Sequence, residues 1–560
     1  MKLRLLAILC LLLLQLSACT QPQPAQTGTA SANPVSESAA QTTVPTVPDT
    51  TAAKEPPLFS GSVTTGGLHV HTDVSAYRPR TSQAVYTRLS DGPLEKFVPS
   101  EDYGAVYPYA AAQLYSSSED GFSWPCGDYL GFVDAGGRIL TDGIYTSIQP
   151  ATIYDYDAFG DHIRRLPIWI VSRVDPANVH REQNEDGGSW VDGTASVGAV
   201  SMDGRFMLPC EFVSIFPTEA GLICYRSMNE PDFSVYDLEG RLCFTSESLF
   251  SEETPGAVGI DYGEDLYLIT LYDKDANSTC WFCDTDGNKV LGPYRAAAAF
   301  HGGLACVSLD AENYGYIRKD GSWAISPTFV SYYTSFQNGL TLQKLTDETE
   351  VVLDASGNTV FHAEPDVWIS LTPCGFSTER RYGNTTSFYD RAGNLLCEGE
   401  KIQWLDAETF YEFKDGDLHV FRPGGAELTI PSYADVYLSA LTIPLDGTLQ
   451  KGYRGINYGT NQAIFIPEDL STYTEESADE TARSYYDLND ECAEVVWHVL
   501  QDGSACIAQN DQGQTLQYRL DLQSSARFMG DRIMLLTSSA CQYYDRAGNL
   551  LFSYPLNTDD

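Results

Sequence analysis

The amino-acid sequence predicts an all-β protein assembled from repeated β-hairpin units, and three observations support this fold class. A turn glycine recurs at a nearly constant interval along much of the 560-residue chain. Short apolar segments flank these glycines, and aromatic residues, which favour strands, make up 12% of the chain. A fixed period of this size is typical of a solenoid, a propeller or an array. Two architectures fit the units, a β-propeller and an open curved array of hairpins, and we favour the propeller.

The repeated unit is most regular at residues 314–340. An apolar pair at 316–317 precedes a turn at 319–321, a second apolar segment extends to Pro327, and a third begins at 339–340. The pattern predicts strand, tight turn, strand, loop and strand. We expect the proline to end the second strand, because it has no N–H to donate to a sheet.

Eight glycines mark the hairpin turns of successive units. The steps between Gly204 and Gly393 are 36, 47, 34, 36 and 36 residues, whereas the 67 residues before them predict about two units and the 155 after them about four. Acidic residues begin many of these turns, and we interpret them as turn formers rather than metal ligands, because Asp bonds its own backbone two residues on. The eight glycines are Gly137, Gly204, Gly240, Gly287, Gly321, Gly357, Gly393 and Gly548.

Three units also share a longer tail, in which a proline, a phenylalanine and Gly-Leu follow the turn glycine. We expect the three phenylalanines, Phe216, Phe300 and Phe336, to anchor the linking loops in the core between units. In this arrangement the sequence resembles the WG-repeat (KWG-repeat) family of bacterial proteins. The family's unit reads approximately Trp-Gly-aromatic-Ile-Asp, a turn glycine, a strand before proline, then Phe and Gly-Leu.

The WG-like units of this chain are degenerate. Tyr314, Leu130 and Val197 replace the tryptophan that names the family, and Trp281 occupies the position of its glycine. The resemblance covers residues 125–400 clearly and the remainder to Leu551 more loosely. It implies a repeat architecture and a binding or surface role, and it implies no particular activity.

The N-terminus predicts export and lipid anchoring. Two basic residues precede an apolar run at 5–14 that is too short to span a bilayer, and the segment ends in Leu-Ser-Ala-Cys19. This ending resembles the lipobox of bacterial lipoproteins, which implies that Cys19 is diacylated. We therefore expect a lipoprotein signal peptide at 1–18, the lipidated cysteine with a disordered Pro/Thr/Ser/Gln linker at 19–57, and the repeat domain at 58–560.

The amino-acid composition limits the classes of molecule that the protein is expected to bind. The chain has 34 basic and 76 acidic residues, a formal net charge of −42, which disfavours binding to nucleic acid. We expect a monomer on the extracytoplasmic face of a bacterial cell membrane, bound to the membrane through its lipid. The first hypothesis is a non-enzymatic binding module for an extracellular protein, peptide or glycan. The alternatives are a polysaccharide hydrolase or lyase with a site at one end of a propeller, and a structural envelope component.

Three short patterns are candidates for chemical sites, and each has a simpler structural interpretation. His69-x-His71 places two imidazoles on one face of a strand, without an identifiable third metal ligand. Cys280 and Cys283 have CxxC spacing, but in a strand they would face opposite sides. We therefore predict no catalytic, cofactor-binding or metal-binding residue from these patterns.

A calcium loop is the third pattern. Asp273-x-Asp275-x-Asn277 resembles the start of such a loop and Asp284 holds its twelfth position, but Ser278 replaces the required glycine. Asp284 also replaces the bidentate Glu. We expect no cofactor, with calcium as the possibility left open.

Two further expectations concern the interior of the domain. Residues 466–498 are acidic and poor in glycine, and we predict a small helical insertion there. The twelve cysteines other than Cys10 and Cys19 are scattered through apolar segments. We expect most of them to be buried thiols.

Overall fold

The computed structural model describes residues 97–555 apart from short gaps. The gaps are 118–122, 142, 155–162, 184–188, 228–231, 251–256, 274, 276, 331–335, 382, 434–435, 446, 458–461, 477–482, 521–524 and 538–539. The predictions for Cys19, His69 and His71 lie outside the described residues.

The described residues form antiparallel sheets whose strands follow one another in chain order, as an uninterrupted meander. Nine sheets have four strands each. Their strands are β3 (Ser147–Tyr154), β4 (Ile163–Gln183), β5 (Ser189–Ser201) and β6 (Met207–Phe212); β7 (Ser214–Thr218), β8 (Gly221–Tyr225), β9 (Phe233–Asp237) and β10 (Leu242–Thr245); β11 (Ala257–Gly263), β12 (Leu266–Tyr272), β13 (Ser278–Cys283) and β14 (Lys289–Tyr294); β15 (Ala296–Ala297), β16 (Ala305–Ser308), β17 (Tyr314–Ile317) and β18 (Trp323–Phe329); β22 (Val367–Thr372), β23 (Gly375–Arg380), β24 (Thr385–Asp390) and β25 (Leu395–Glu400); β26 (Gln403–Trp404), β27 (Phe410–Lys414), β28 (Asp417–Phe421) and β29 (Glu427–Ile430); β30 (Tyr437–Leu445), β31 (Thr448–Asn457), β32 (Gln462–Pro467) and β33 (Thr474–Glu476); β34 (Ser484–Asn489), β35 (Val496–Asp502), β36 (Ala505–Asn510) and β37 (Thr515–Arg519); β38 (Ser525–Met529), β39 (Arg532–Leu536), β40 (Ala540–Asp545) and β41 (Leu550–Pro555).

A three-stranded and a two-stranded sheet complete the β-structure. They consist of β19 (Leu340–Lys344), β20 (Glu350–Asp354) and β21 (Thr359–His362), and of β1 (Val106–Ser117) and β2 (Ser123–Asp134). The described helical structure is a 3-10 turn at Glu101–Tyr103 and a four-residue helix, α1 (Ser246–Leu249).

The sheets from β3 to β41 are the ten blades of a β-propeller, which confirms the predicted fold class. The β1–β2 sheet packs between the last blade and the first. Tyr107 and Tyr543 are in ring contact at 6.0 Å, the Tyr543 hydroxyl donates to the carbonyl of Pro108, and Trp169 Nε1 donates to the carbonyl of Val106 at 2.9 Å. Val106 N–H also donates to the carbonyl of Met202 at 2.8 Å. Among the described residues the ends of the propeller therefore meet through side-chain packing and hydrogen bonds, without a shared strand.

The turn between the third and fourth strands explains why the sequence repeats. At Asp390, Oδ1 accepts the N–H groups of Ala392 and Asn394, both at 2.8 Å, and Oδ2 accepts Asn394 Nδ2 at 2.8 Å. Gly393 closes the turn at φ 83°, a left-handed conformation that favours glycine. The eight marked glycines all have φ between 76° and 84°.

The glycine that follows the first residue of the WG-like motif has a different role. A Cβ on Gly315 would lie 2.6 Å from the carbonyl oxygen of Ile325 and 2.7 Å from the nitrogen of Pro327. The facing strand bulges here, since Tyr314 pairs with Phe329 and Tyr316 with Ile325. Only a residue without a side chain fits under that bulge.

The prediction that the proline ends the second strand of the hairpin is wrong. Pro327, Pro209 and Pro293 lie inside the fourth strands β18, β6 and β14 rather than at their ends. Each lies at an irregularity of an edge strand, where its missing N–H interrupts no ladder.

Two other expectations also need correction. The helical insertion at 466–498 is wrong for its described residues, which form the end of β32, then β33, β34 and the start of β35. Pairing with neighbouring strands overrides the helix-compatible composition, and Tyr485 and Tyr486 suit a strand. The interval from Gly137 to Gly204 holds one blade rather than two, because β4 and β5 are unusually long.

The linking loops and cysteines largely follow the predictions. Phe300 and Phe336 are buried between neighbouring sheets, whereas Phe216 is half-buried within β7. Seven of the described cysteines are buried, and no disulfide joins those whose side chains the structure describes. Burial raises the pKa of Cys306 to about 12.

Candidate functional site

Two adjoining clefts lie on the edge strands of four consecutive blades. The larger, of about 490 Å³, is lined mainly by residues of β22, β26 and β30, and the smaller, of about 310 Å³, by β30, β31 and β34. Tyr437, Ser439 and Ala440 border both clefts, so β30 is the wall between them. We call the two together the β30 groove.

The alternation of β30 determines what this wall presents. Leu438 points inward and is buried with Val436 and Tyr453, whereas its neighbours Tyr437 and Ser439 are exposed. Residues two apart in a strand share a face, so the tyrosine and the serine hydroxyl lie on the same side. The strand thus offers an aromatic ring and a hydroxyl to the groove while its other face fills the core.

The larger cleft contains no charged side chain among the described residues that line it. These are Ser370, Leu371, Thr372, Ser377, Phe388, Ile402, Gln403, Trp404, Leu405, Tyr437, Leu438, Ser439 and Ala440. Two of its aromatic side chains are exposed, Trp404 at 44% and Tyr437 at 68%. The Gln403 carboxamide is held in place by the Tyr411 hydroxyl, which donates to Oε1. The floor is apolar, because Phe388, Ile402 and Leu438 are buried.

Two of the described residues that line the smaller cleft are charged, Arg454 and Asp487, and each has a partner. Arg454 and Glu476 form a bidentate pair, with Nη2 2.6 Å from Oε2 and Nε 2.9 Å from Oε1. Both side chains are about nine-tenths buried, and the guanidinium lies 4.8 Å from the ring centre of Tyr485. Asp487 Oδ1 lies 2.8 Å from His498 Nδ1. The charges of Arg454 and Glu476 therefore offset each other.

The calcium-like pattern separates into two turns. Asp273 Oδ1 accepts the N–H groups of Asp275 at 2.9 Å and Asn277 at 2.8 Å, between β12 and β13. Asp284 caps the next turn in the same way, with Asn288 Nδ2 donating to Oδ2 at 3.0 Å. The two aspartates thus lie at opposite ends of β13 and do not converge on one ion. Among the described side chains no cluster of three or more metal-ligating residues occurs.

The CxxC pair also separates, as the strand period predicted. Cys280 packs with Phe300 and Ile317, and Cys283 packs with Tyr267 in a different cluster. Burial raises the pKa of both thiols, that of Cys283 to about 11. A thiol in such surroundings is a poor nucleophile.

Sequence reasoning did not identify Trp404 and Tyr437. Aromatic residues are frequent throughout the strands, and most of them are buried, so composition does not distinguish an exposed ring from a core ring. Trp404 lies between apolar residues of the same segment, Ile402 and Leu405, and the sequence therefore carries no signal that its ring is exposed.

Comparison with known proteins identifies the repeat. Residues 314–342 match the family described as WG containing repeat. The chain contains a WG repeat. The match begins at Tyr314, so the unit that was most regular by sequence is the one that matches, and the resemblance is confirmed there. A search of curated proteins found no match.

Among solved structures, BamB from Moraxella catarrhalis is 10% identical over 60% of this chain and 94% of its own, with a TM-score of 0.19. The extracellular domain of BT4673 from B. thetaiotaomicron is 11% identical over 81% of this chain and 79% of its own, with a TM-score of 0.17. Similarity at this level transfers no function to a WG-repeat chain. Within the described residues, no helix has the length and hydrophobicity to cross a membrane.

Proposed function

We propose that this protein is a lipid-anchored binding module outside the bacterial cytoplasm, and that the β30 groove is its binding surface. The observation that carries the proposal is the larger cleft, in which two exposed aromatic side chains adjoin hydroxyl and amide groups over an apolar floor. Binding sites commonly combine a mostly apolar concave surface with a few oriented polar groups. Exposed tryptophan and tyrosine are also the residues that most often contribute binding energy.

The anchoring part of the proposal rests on the N-terminal sequence. A basic start, an apolar run and Leu-Ser-Ala-Cys19 support export followed by diacylation of Cys19. Two acyl chains are sufficient for stable attachment to a membrane. The domain would then act at the outer face of the membrane, on a protein, peptide or glycan.

The groove offers little support for the hydrolase alternative. Acid–base cleavage of a glycosidic bond requires two carboxyl groups across the substrate. Among the described lining residues, the larger cleft has no carboxylate and the smaller has Asp487 alone.

The binding function can be tested with the purified full-length protein on arrays of extracellular proteins, peptides and glycans. We expect at least one class to bind, and Trp404→Ala to weaken that binding by about tenfold or more. Trp323→Ala is the matched control, because Trp323 is 37% exposed on β18, outside both clefts. Binding that is equal in the two variants would contradict the assignment of the groove.

Anchoring has a separate test. Cells that produce the full-length protein are labelled with a palmitate analogue, and the label on Cys19→Ser is compared with that on Cys10→Ser. We expect the label and the membrane fractionation to be lost only in Cys19→Ser. Equal labelling of both variants would refute lipidation at Cys19.

A further inference from the structure

We infer that the larger cleft of the β30 groove binds a neutral oligosaccharide, by stacking sugar rings on Trp404 and Tyr437. The inference rests on the proposed function and specifies its ligand class. It starts from a contrast in charge. The chain carries a net charge of −42, yet none of the described residues that line this cleft is charged.

That contrast selects against charged ligands in two ways. An anionic polymer would approach through the repulsive field of the whole molecule and would find no cation in the cleft to pair with. A cationic group would lose hydration on entering and would find no carboxylate there. A neutral ligand meets neither cost.

The polar groups of the cleft match a ligand rich in hydroxyls. Serine and threonine hydroxyls both donate and accept hydrogen bonds, and so does the carboxamide of Gln403 as a whole. The Tyr411 hydroxyl donates to Gln403 Oε1, and the Gln403 side chain, which lines the cleft, also carries two amide N–H donors. Ser370 and Ser439 add exposed hydroxyls from two other strands.

The two exposed aromatic rings match the apolar face of a sugar ring. One side of a pyranose ring presents C–H groups, which pack on an aromatic face and make weak C–H contacts to it. Trp404 and Tyr437 come from different blades and border the same cleft. Because Tyr437 also borders the smaller cleft, a chain of several sugars could extend past it.

A peptide is a less suitable occupant. The strand that carries Trp404 is two residues long, which gives a peptide little edge to pair with beside that ring. The volume of about 490 Å³ is within the usual range for small ligands, about 300–1,000 Å³. We therefore assign the cleft to a glycan, and peptide binding is one of the outcomes that the test distinguishes.

The test is titration calorimetry of the full-length protein with neutral glucose and N-acetylglucosamine hexasaccharides of different linkage. A uronic acid hexasaccharide serves as the anionic counterpart. We expect at least one neutral hexasaccharide to bind about tenfold more tightly than the uronic acid chain. Trp404→Ala and Tyr437→Ala should each weaken that binding by about tenfold, Trp404→Phe should retain part of it, and Trp323→Ala should not change it.

Failure of the ligand class and failure of the proposed function give different results. If no neutral hexasaccharide binds while a peptide or protein binds in a Trp404-dependent manner, the ligand class is wrong and the proposed function stands. If nothing binds in a Trp404-dependent manner, both fail. If a neutral hexasaccharide still binds equally well after Trp404→Ala and after Tyr437→Ala, the assignment of the larger cleft as its site is wrong. Urea unfolding of each variant checks that the fold is retained.

Discussion

Gly137 faces the ring of Phe552 across the junction between the start and the end of the propeller. A Cβ on Gly137 would lie 2.6 Å from Cδ1 of Phe552. Gly240 meets Phe206 and Gly287 meets Phe244 in the same way, each glycine contacting the preceding blade. The contact between neighbouring blades is thus repeated between residues 415 positions apart in the sequence, which is the geometry of a closed ring.

Gly137→Ala should therefore destabilise the protein by more than the strain of an alanine at positive φ alone would. Strain at positive φ costs about 1–2 kcal/mol, and overpacking against Phe552 adds about 1–3 kcal/mol. Gly416→Ala isolates the first effect, because Gly416 has φ 90° and no atom within 4 Å of the added Cβ. Urea unfolding should show the larger loss for Gly137→Ala. Equal losses would indicate that the contact with Phe552 is not maintained in solution.

The glycine of the WG-like motif is expected to be as restrictive as the turn glycine, for a different reason. Gly315→Ala places a methyl group against the backbone of Ile325 and Pro327, which cannot move aside as a side chain could, and should cost about 1–3 kcal/mol. Gly259→Ala is the control, because its nearest neighbour would be 3.8 Å away. Thermal unfolding should show a clear decrease in Tm for the first variant and little change for the second.

The chain contains its own control for a buried ion pair. The octapeptide YDRAGNLL occurs twice, at 389–396 and 544–551. Arg391 is exposed in the first copy, whereas Arg546 in the second reaches the fully buried Asp490, with Nη2 2.5 Å from Oδ2, and packs over Trp497 at 4.6 Å.

Arg546→Ala should accordingly destabilise the protein by about 3–5 kcal/mol, because it leaves the buried Asp490 carboxylate without a counter-charge, with the N–H groups of Cys492 and Gly530 as its remaining partners. Arg391→Ala should stay within about 0.5 kcal/mol of the wild type. Chemical denaturation of the two variants in parallel measures the difference. Similar values for both would show that sequence context, rather than the pair with Asp490, determines the effect.

Acid should weaken the hairpin turns. The side-chain hydrogen bond from Asn394, together with backbone N–H groups, lowers the pKa of Asp390 below 3.8. A carboxyl group with a lowered pKa in the folded state stabilises the fold above its unfolded value, and this contribution disappears as the pH falls through the folded value. The stability difference between wild type and Asp390→Asn should therefore be full above about pH 4 and should shrink below it.

The measurement for this prediction is the urea midpoint of both proteins as a function of pH. A difference for Asp390→Asn that does not change with pH would mean that the charge of the carboxylate makes no contribution to the turn.

The sequence predicts the repeat well because its determinants are local. The turn at Asp390, Gly393 and Asn394 depends on five consecutive residues, so its chemistry can be read from the chain directly. The helical insertion failed because β34 pairs with β35, and this non-local pairing, half of whose β35 partners lie beyond residue 498, overrides the local composition. The groove was not predictable for a similar reason, since Trp404 and Tyr437 become neighbours only when blades that are distinct in sequence pack side by side.

Hydrogen exchange of the full-length protein, measured with and without a saturating neutral hexasaccharide, tests the central claim most directly. The account predicts slower exchange at backbone amides of β22, β26 and β30, and unchanged exchange in β18, where the control residue Trp323 lies. Protection centred on other blades, or no protection in these three strands, would contradict the assignment of the β30 groove as the binding surface.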